Sequence, residues 1–237
     1  MPAQTVRNLL QQGNTKLGEG IYTFSLPAVA TCPGASPACR CECYALRGRF
    51  HFLRRAYRRY LAASAEEGFV ARMVGEIRRR WAGCVRIHVS GDFYSAEYVR
   101  KWAAVARACP ATRFFAYTRS WRRADIAEAL AELSRCRNVR LWYSCDRDTG
   151  IPARVPRRVR LAWMQTSADD LPPRADLVFR VHRLRGTVAK RVSLALVCPV
   201  ENGATGHRTD CGRCRLCIKG LPPPGRGLEP PWPFLGD

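Results

Sequence analysis

Cys32, Cys39, Cys41 and Cys43 crowd into 12 residues of "TCPGASPACRCECYALRGRF". Cys32, Cys39 and Cys43 give the spacing C-x6-C-x3-C, with Cys41 as an extra thiol between them. Three thiolates from one loop can hold three corners of a cubane iron-sulfur cluster, leaving the fourth iron open to a substrate or small molecule. Zinc is the rival, but its sites usually draw on C-x2-C pairs or Cys/His arms. This stretch has neither.

A second group lies in "CPVENGATGHRTDCGRCRLC": Cys198, followed by proline, then Cys211, Cys214 and Cys217 at intervals of three. Bacterial ferredoxins space their ligands in this way, although there the Cys-Pro comes last. Four thiolates would close the site, which suits electron transfer or structure. Zinc stays open as the alternative here, because four-cysteine and three-cysteine-one-histidine sites are common and His207 is at hand. Cys84, Cys109, Cys136 and Cys145 are dispersed at element ends and read as small buried hydrophobes. Cys145 is the least ordinary of them, since "LWYSCD" leaves a strand there.

Compartment decides between metal and disulfide. The first residues, "MPAQTVRNLLQQGNTK", lack a basic patch followed by an apolar run, and no segment approaches the ~18 apolar residues of a membrane span. The expected location is the cytoplasm, without membrane contact, where reducing conditions favour metal binding or redox chemistry over structural disulfides.

Charge points to a partner. Forty Lys plus Arg, 36 of them Arg, stand against 19 Asp plus Glu, for a net charge of +21. A surplus of that size repels itself unless a polyanion is near, so nucleic acid, DNA or RNA, is the expected partner. A GC-rich genome would also raise Arg over Lys, but it would not remove the acids. The 47% of apolar residues suffices for a folded globule.

The elements that must position these residues follow from periodicity. "GIYTFSLP" reads as a strand ahead of the first cysteine loop. Phe50, Leu53, Tyr57 and Tyr60 then recur at spacings of three and four, a helical stripe with Arg54, Arg55, Arg58 and Arg59 between them. A second helix runs to about Trp81, with Gly83 as its stop. "VRIHVSGDF", "TRFFAYT" and "NVRLWYS" read as strands separated by the helices "AEYVRKWAAVARAC" and "RRADIAEALAELSR". "RVRLAWMQT", "ADLVFRVH" and "RVSLALVC" add three strand candidates with no room for full helices between them. Such alternation predicts an α/β fold with parallel strands. The expected division is residues 1–197 as the main domain, 198–220 as a small Cys-rich metal-binding extension, and 221–237 as an extended Pro-rich tail in which Trp232 and Phe234 could dock.

"SPAC" and "CYA", preceded by Cys32, together with "HVSGDF", "AYTRS" and the terminal "CP…C..C..C", resemble the signature of phage- and plasmid-encoded iron-sulfur proteins of the phage gene product eighty-eight family. These are in turn similar to the radical S-adenosylmethionine (SAM) superfamily. The resemblance implies a partial (β/α)6 barrel with the three-cysteine loop after its first strand. It implies two [4Fe-4S] clusters, with Cys32, Cys39 and Cys43 as ligands of the open one. It also implies that Ser90, Gly91 and Asp92 stand where radical SAM proteins carry a Gly-Gly-Glu turn contacting the SAM amino group. Two features depart from the superfamily: the usual spacing is C-x3-C-x2-C, and Glu42 sits where an aromatic residue normally lines the adenine. Both weigh against SAM.

Independently of any family, Asp92 follows a strand and a glycine, so its carboxylate is expected at the carboxyl edge of the sheet. Its alternative role is a turn or N-cap before the next helix, which Ser95 could cap instead. Tyr117, Thr118 and Arg119 end the next strand, Tyr143 and Ser144 the one after, and Gln165 a fourth. Asp92, Arg119 and Tyr117 are the expected catalytic residues. The aromatic-arginine mixtures "RFHFLRRAYRRY" and "RSWRR" suit single-stranded nucleic acid, although the shared helical face of the aromatics favours core packing. His51, His88, His182 and His207 are too scattered to define a site. The expected function is therefore a radical-SAM-like or redox enzyme acting on a nucleotide or nucleic acid, served by a reductant protein. The alternatives are a basic nucleic-acid-binding protein of a mobile element with structural Fe-S or Zn sites, and a ferredoxin-like carrier.

Overall fold

The computed structural model describes residues 7–48, 50–184, 192–202 and 209–221. One seven-stranded sheet organises them, with its strands in chain order: β1 (Gln11–Gln12), β2 (Tyr22–Phe24), β3 (Cys84–Ile87), β4 (Arg113–Thr118), β5 (Val139–Cys145), β6 (Arg160–Gln165) and β7 (Leu177–Arg180). β1 pairs antiparallel with β2, and every later pair is parallel.

Parallel neighbours need a long crossover. Between β2 and β3 run α1 (Pro37–Cys41), α2 (Phe50–Ala65) and α3 (Phe69–Arg79). α4 (Ala96–Ala108) joins β3 to β4, and α5 (Ala124–Ser134) joins β4 to β5. The segments 146–159 and 166–176, leading to β6 and β7, contain no helix, so the β/α repeat lapses in the second half.

Side-chain alternation gives the sheet two different faces. Phe24, Val85, Phe114, Leu141 and Trp163 point to the helices and form the main core with Tyr57, Phe69, Trp102 and Leu130. Cys84, Phe115, Trp142 and Leu177 point the other way and meet Leu17, Ile21, Cys198, Cys217 and Ile218. The Cys-rich segment expected as an extension is thus laid against the sheet face that the helices leave uncovered. It closes with two short helices, α6 (Pro199–Asn202) and α7 (Cys211–Cys214).

Two expected features differ. The described part of "RVSLALVC", residues 192–198, forms a 3-10 turn at Leu194–Leu196 and then a parallel bridge from Val197 to Val178 rather than a strand. Cys198 donates its N–H to Val178 O at 2.9 Å, but Pro199 has no N–H with which to extend the ladder. The α3 helix does not wait for Gly83. Trp81 takes the left-handed conformation, φ 51°, and Ala82 N–H returns to Ile77 O at 3.0 Å, which closes the helix there. His207, Trp232 and Phe234 lie outside the described residues. Among the described residues, no helix is long and apolar enough to cross a membrane.

Candidate functional site

The first cysteine loop leaves β2 and folds over the carboxyl ends of the neighbouring strands. Ser36 caps α1, accepting the Cys39 N–H at 3.0 Å, and Pro37 follows at the first helical position. Ser36 in turn donates its hydroxyl to Asp146 Oδ2 at 2.6 Å, and Asp148 Oδ2 accepts the Ala38 N–H at 2.7 Å. The helix N-terminus is therefore held by two carboxylates from the end of β5, which also suits its dipole.

Arg119, at the end of β4, places Nη1 2.6 Å from the same Asp146 oxygen; both side chains are buried. Its guanidinium also reaches the Cys39 thiol, opposing the rise that burial imposes on that thiol's pKa. Burial, and then the carboxyl of Asp92, push Cys32 up to about 12. Cys32, Cys39 and Cys43 lie within electrostatic reach of one another and are each partly shielded, whereas Cys41 is exposed. The fold separates the three spaced thiols from the extra one.

The Ser90-Gly91-Asp92 turn serves as the floor of this loop. Ser90 Oγ donates to Leu26 O at 2.8 Å. Gly91 has φ +80°, and a Cβ there would lie 2.6 Å from both Leu26 Cβ and Thr31 Oγ1, so only glycine fits. Asp92 accepts Phe93 N–H and Arg119 N–H at 2.7 Å each, while Ser95 caps α4 by accepting Tyr98 N–H at 3.2 Å. Burial raises the Asp92 pKa above the usual carboxyl range despite these donors. Asp92 thus knits the ends of β3 and β4 together, buried and within electrostatic reach of Cys32. Glu42, expected at an adenine-lining place, pairs with Arg183 at 3.0 Å.

Tyr117 belongs to a different place from the one expected. Its strand position turns it to the opposite sheet face, where its hydroxyl donates to Cys217 Sγ at 2.8 Å and its ring stacks on Trp142. Trp142 Nε1 donates to Cys217 O at 3.1 Å. Cys211 N–H and Gly212 N–H reach Lys16 O and Leu17 O, so the N-terminal segment fastens α7 down. Cys198, Cys214 and Cys217 all come within electrostatic reach of Cys211, and burial pushes Cys211 up to about 12. Arg86, lying over the rings of Phe115 and Tyr117, opposes that rise at Cys211 and Cys217. Each cysteine group thus has one arginine beside it, Arg119 at the first and Arg86 at the second.

Reading the sequence missed Ser36, Asp146, Arg86 and Cys84. Asp146 had a signal, since it follows β5 as Arg119 follows β4. Cys84, read as a plain hydrophobe, is buried beside Cys217. Cys145 is buried, with its thiol donating weakly to Tyr143 O.

Among the described residues no three Cys, His, Asp or Glu side chains converge closely enough to surround a single metal ion. A cubane cluster sets a different spacing, because each thiolate holds a separate iron at a separate corner. Thiol chemistry, partial burial and a flanking cation fit such a group at both places.

No solved structure matches the chain. Two curated relatives do: the Gene 88 protein of Mycobacterium phage L5, 28% identical over 211 residues, and that of Mycobacterium phage D29, 26% identical over 212 residues. Each alignment spans 80% of this chain and 79% of the relative. The Gene product 88 family model matches residues 8–220, a span that includes both cysteine groups and every strand of the sheet. On that match the chain belongs to the Gene product 88 family.

Proposed function

We propose that the protein is an iron-sulfur enzyme with two [4Fe-4S] clusters, acting by radical-SAM-like or other redox chemistry on a nucleotide or nucleic acid. Cys32, Cys39 and Cys43 would hold the first cluster, and Cys198, Cys211, Cys214 and Cys217 the second. The observation that carries the reading is the gathering of seven thiols into two groups, each beside a buried or ring-stacked arginine, while Cys41 is left in solvent. A cluster with one iron free of protein ligands supplies electrons to a molecule bound at that iron.

The chain's own residues do the rest. Asp146 and Ser36 fix the helix that presents Cys39, Arg119 offsets negative charge beside it, and Asp92 ties the strand ends that form the floor. Six parallel strands in chain order support reading the sheet as a partial (β/α)6 barrel, with the first cluster at its carboxyl mouth. Ser90, Gly91 and Asp92 would together form the turn's contribution to any SAM amino-group contact, with the Asp92 carboxyl within electrostatic reach of Cys32.

A second reading, a basic nucleic-acid binder with structural metal sites, draws on the exposed arginines of α2, which have no hydrogen bond or ion pair among the described residues. Anaerobic purification followed by iron, sulfide and zinc analysis separates the two. The enzyme reading expects brown protein with roughly seven to eight irons. Colourless protein with stoichiometric zinc would overturn it. Reduction in the presence of SAM then tests for methionine and 5'-deoxyadenosine.

A further inference from the structure

The helix α2 buries Tyr57 and Tyr60 and packs Phe50 and Leu53 against the core, yet it leaves Phe52 84% exposed. Around that ring His51, Arg54, Arg55 and Arg58 line a surface depression of about 410 Å³. His51, Arg54, Arg55 and Arg58 recur at spacings of three and four, so they form one outward stripe. Arg59 stands beside it. All four arginines are exposed, and no hydrogen bond or ion pair joins them to another described residue. Four guanidinium groups on one helix repel each other, a cost that no described residue offsets through a hydrogen bond or ion pair.

We propose that this face of α2 is the landing site for single-stranded nucleic acid, with a base stacked on Phe52 and the phosphates held by Arg54, Arg55 and Arg58. Guanidinium groups match phosphate oxygens in planar, two-toothed contacts, and the exposed Phe52 ring among them offers the stacking surface that unpaired bases need. A duplex has its bases stacked internally and has no use for Phe52. The site also continues toward the first cysteine group. The Phe50 ring meets Tyr44 edge-on at 5.5 Å, Tyr44 is half exposed, and it follows Cys43 directly in the chain. A strand laid along α2 would thus reach the cysteine loop. An anionic membrane is the competing partner for a basic helix, but the apolar side of α2 is already spent on the core.

The inference rests on the nucleic-acid part of the reading above and not on the clusters. It is tested by fluorescence anisotropy of a labelled oligodeoxythymidine and oligouridine against the intact protein. The variants are Phe52→Ala, Arg54→Ser/Arg55→Ser/Arg58→Ser, and Arg135→Ser/Arg137→Ser as a control on another surface. Phe52→Ala is expected to weaken binding about tenfold. The triple variant is expected to lower the slope of log affinity against log salt by about 2. Circular dichroism should match the wild type, since these side chains are exposed. Salt-dependent binding that survives both α2 changes would overturn the landing site while leaving nucleic acid as partner. No binding of either strand would overturn both. Tighter binding to a duplex, or binding only to phosphatidylserine vesicles, would also overturn the proposal.

Discussion

Arg119 Nη1 lies 2.6 Å from Asp146 Oδ2, and the same oxygen receives the Ser36 hydroxyl at 2.6 Å. The ends of β4 and β5 thereby hold the helix that carries Cys39. Because both charges are buried, removing one strands the other. Asp146→Ala is expected to cost about 3–5 kcal/mol, read from urea unfolding. An Arg119→Met/Asp146→Leu double variant should recover much of that loss, because it leaves no lone charge. A double variant as unstable as the single one would assign the loss to packing.

Exposure separates the cysteines of the first loop. Cys41 is exposed, whereas Cys39 sits beside Arg119 and Cys43. Cys39→Ala is expected to remove about half of the bound iron, one of two cubane clusters, and Cys41→Ser to remove none. Iron and sulfide analysis of anaerobically purified variants checks both. Equal loss in the two variants would make Cys41 a ligand.

Much of this molecule was legible in its sequence. The strands β2 to β7 and helices α2 to α5 were visible because apolar periodicity is a local property. The cysteine groups were visible because their spacing is short. Long-range consequences were not. Nothing local says that Tyr117 faces Cys217, 100 residues away, because strand parity relative to a distant segment decides it. Likewise, nothing near Asp92 in the chain says that its carboxylate accepts the Arg119 amide, because the position of β4 decides it. Ser36 and Asp146 lie 110 residues apart, so their bond could be found only in three dimensions.

His88 should make stability fall in mild acid. It is buried, its Nε2 bonds with the Tyr98 hydroxyl at 2.8 Å, and its ring packs edge-on against Phe93. Burial, and then the charge of Arg86, lower its pKa from 6.5 to about 3. The unfolded chain therefore binds a proton below about pH 6.5 that the folded chain refuses until about pH 3. The neutral histidine's contribution is fully present above 6.5 and is lost progressively as pH falls through that window. At pH 5 the loss is about 2 kcal/mol. His88→Asn removes this term, and asparagine tolerates the φ of 67° found there. Urea unfolding of both proteins at pH 7 and pH 5 checks it, with the gap between them shrinking or reversing in acid.

Gly34 lies where the cysteine loop crosses the end of β4. A Cβ built there would stand 2.0 Å from Arg119 O and 2.9 Å from Ser120 N, both backbone atoms that cannot swing aside. Arg122 Nη1 also donates to Gly34 O at 3.0 Å, which fixes the crossing. Gly34→Ala must push the loop off the strand end, at a cost of about 1–3 kcal/mol as in other overpacked sites. It should also speed the reaction of Cys32 and Cys39 with a thiol reagent, since their cover is the loop itself. Gly75 supplies the contrast: it is exposed within α3, and nothing lies within 4 Å of its added Cβ. Gly75→Ala is expected to stabilise the protein by about 0.5–1 kcal/mol through helix propensity. Thermal unfolding and thiol-labelling rates of the two variants should therefore move in opposite directions. A Gly34→Ala protein as stable and as slowly labelled as the wild type would mean that the loop does not rest on β4.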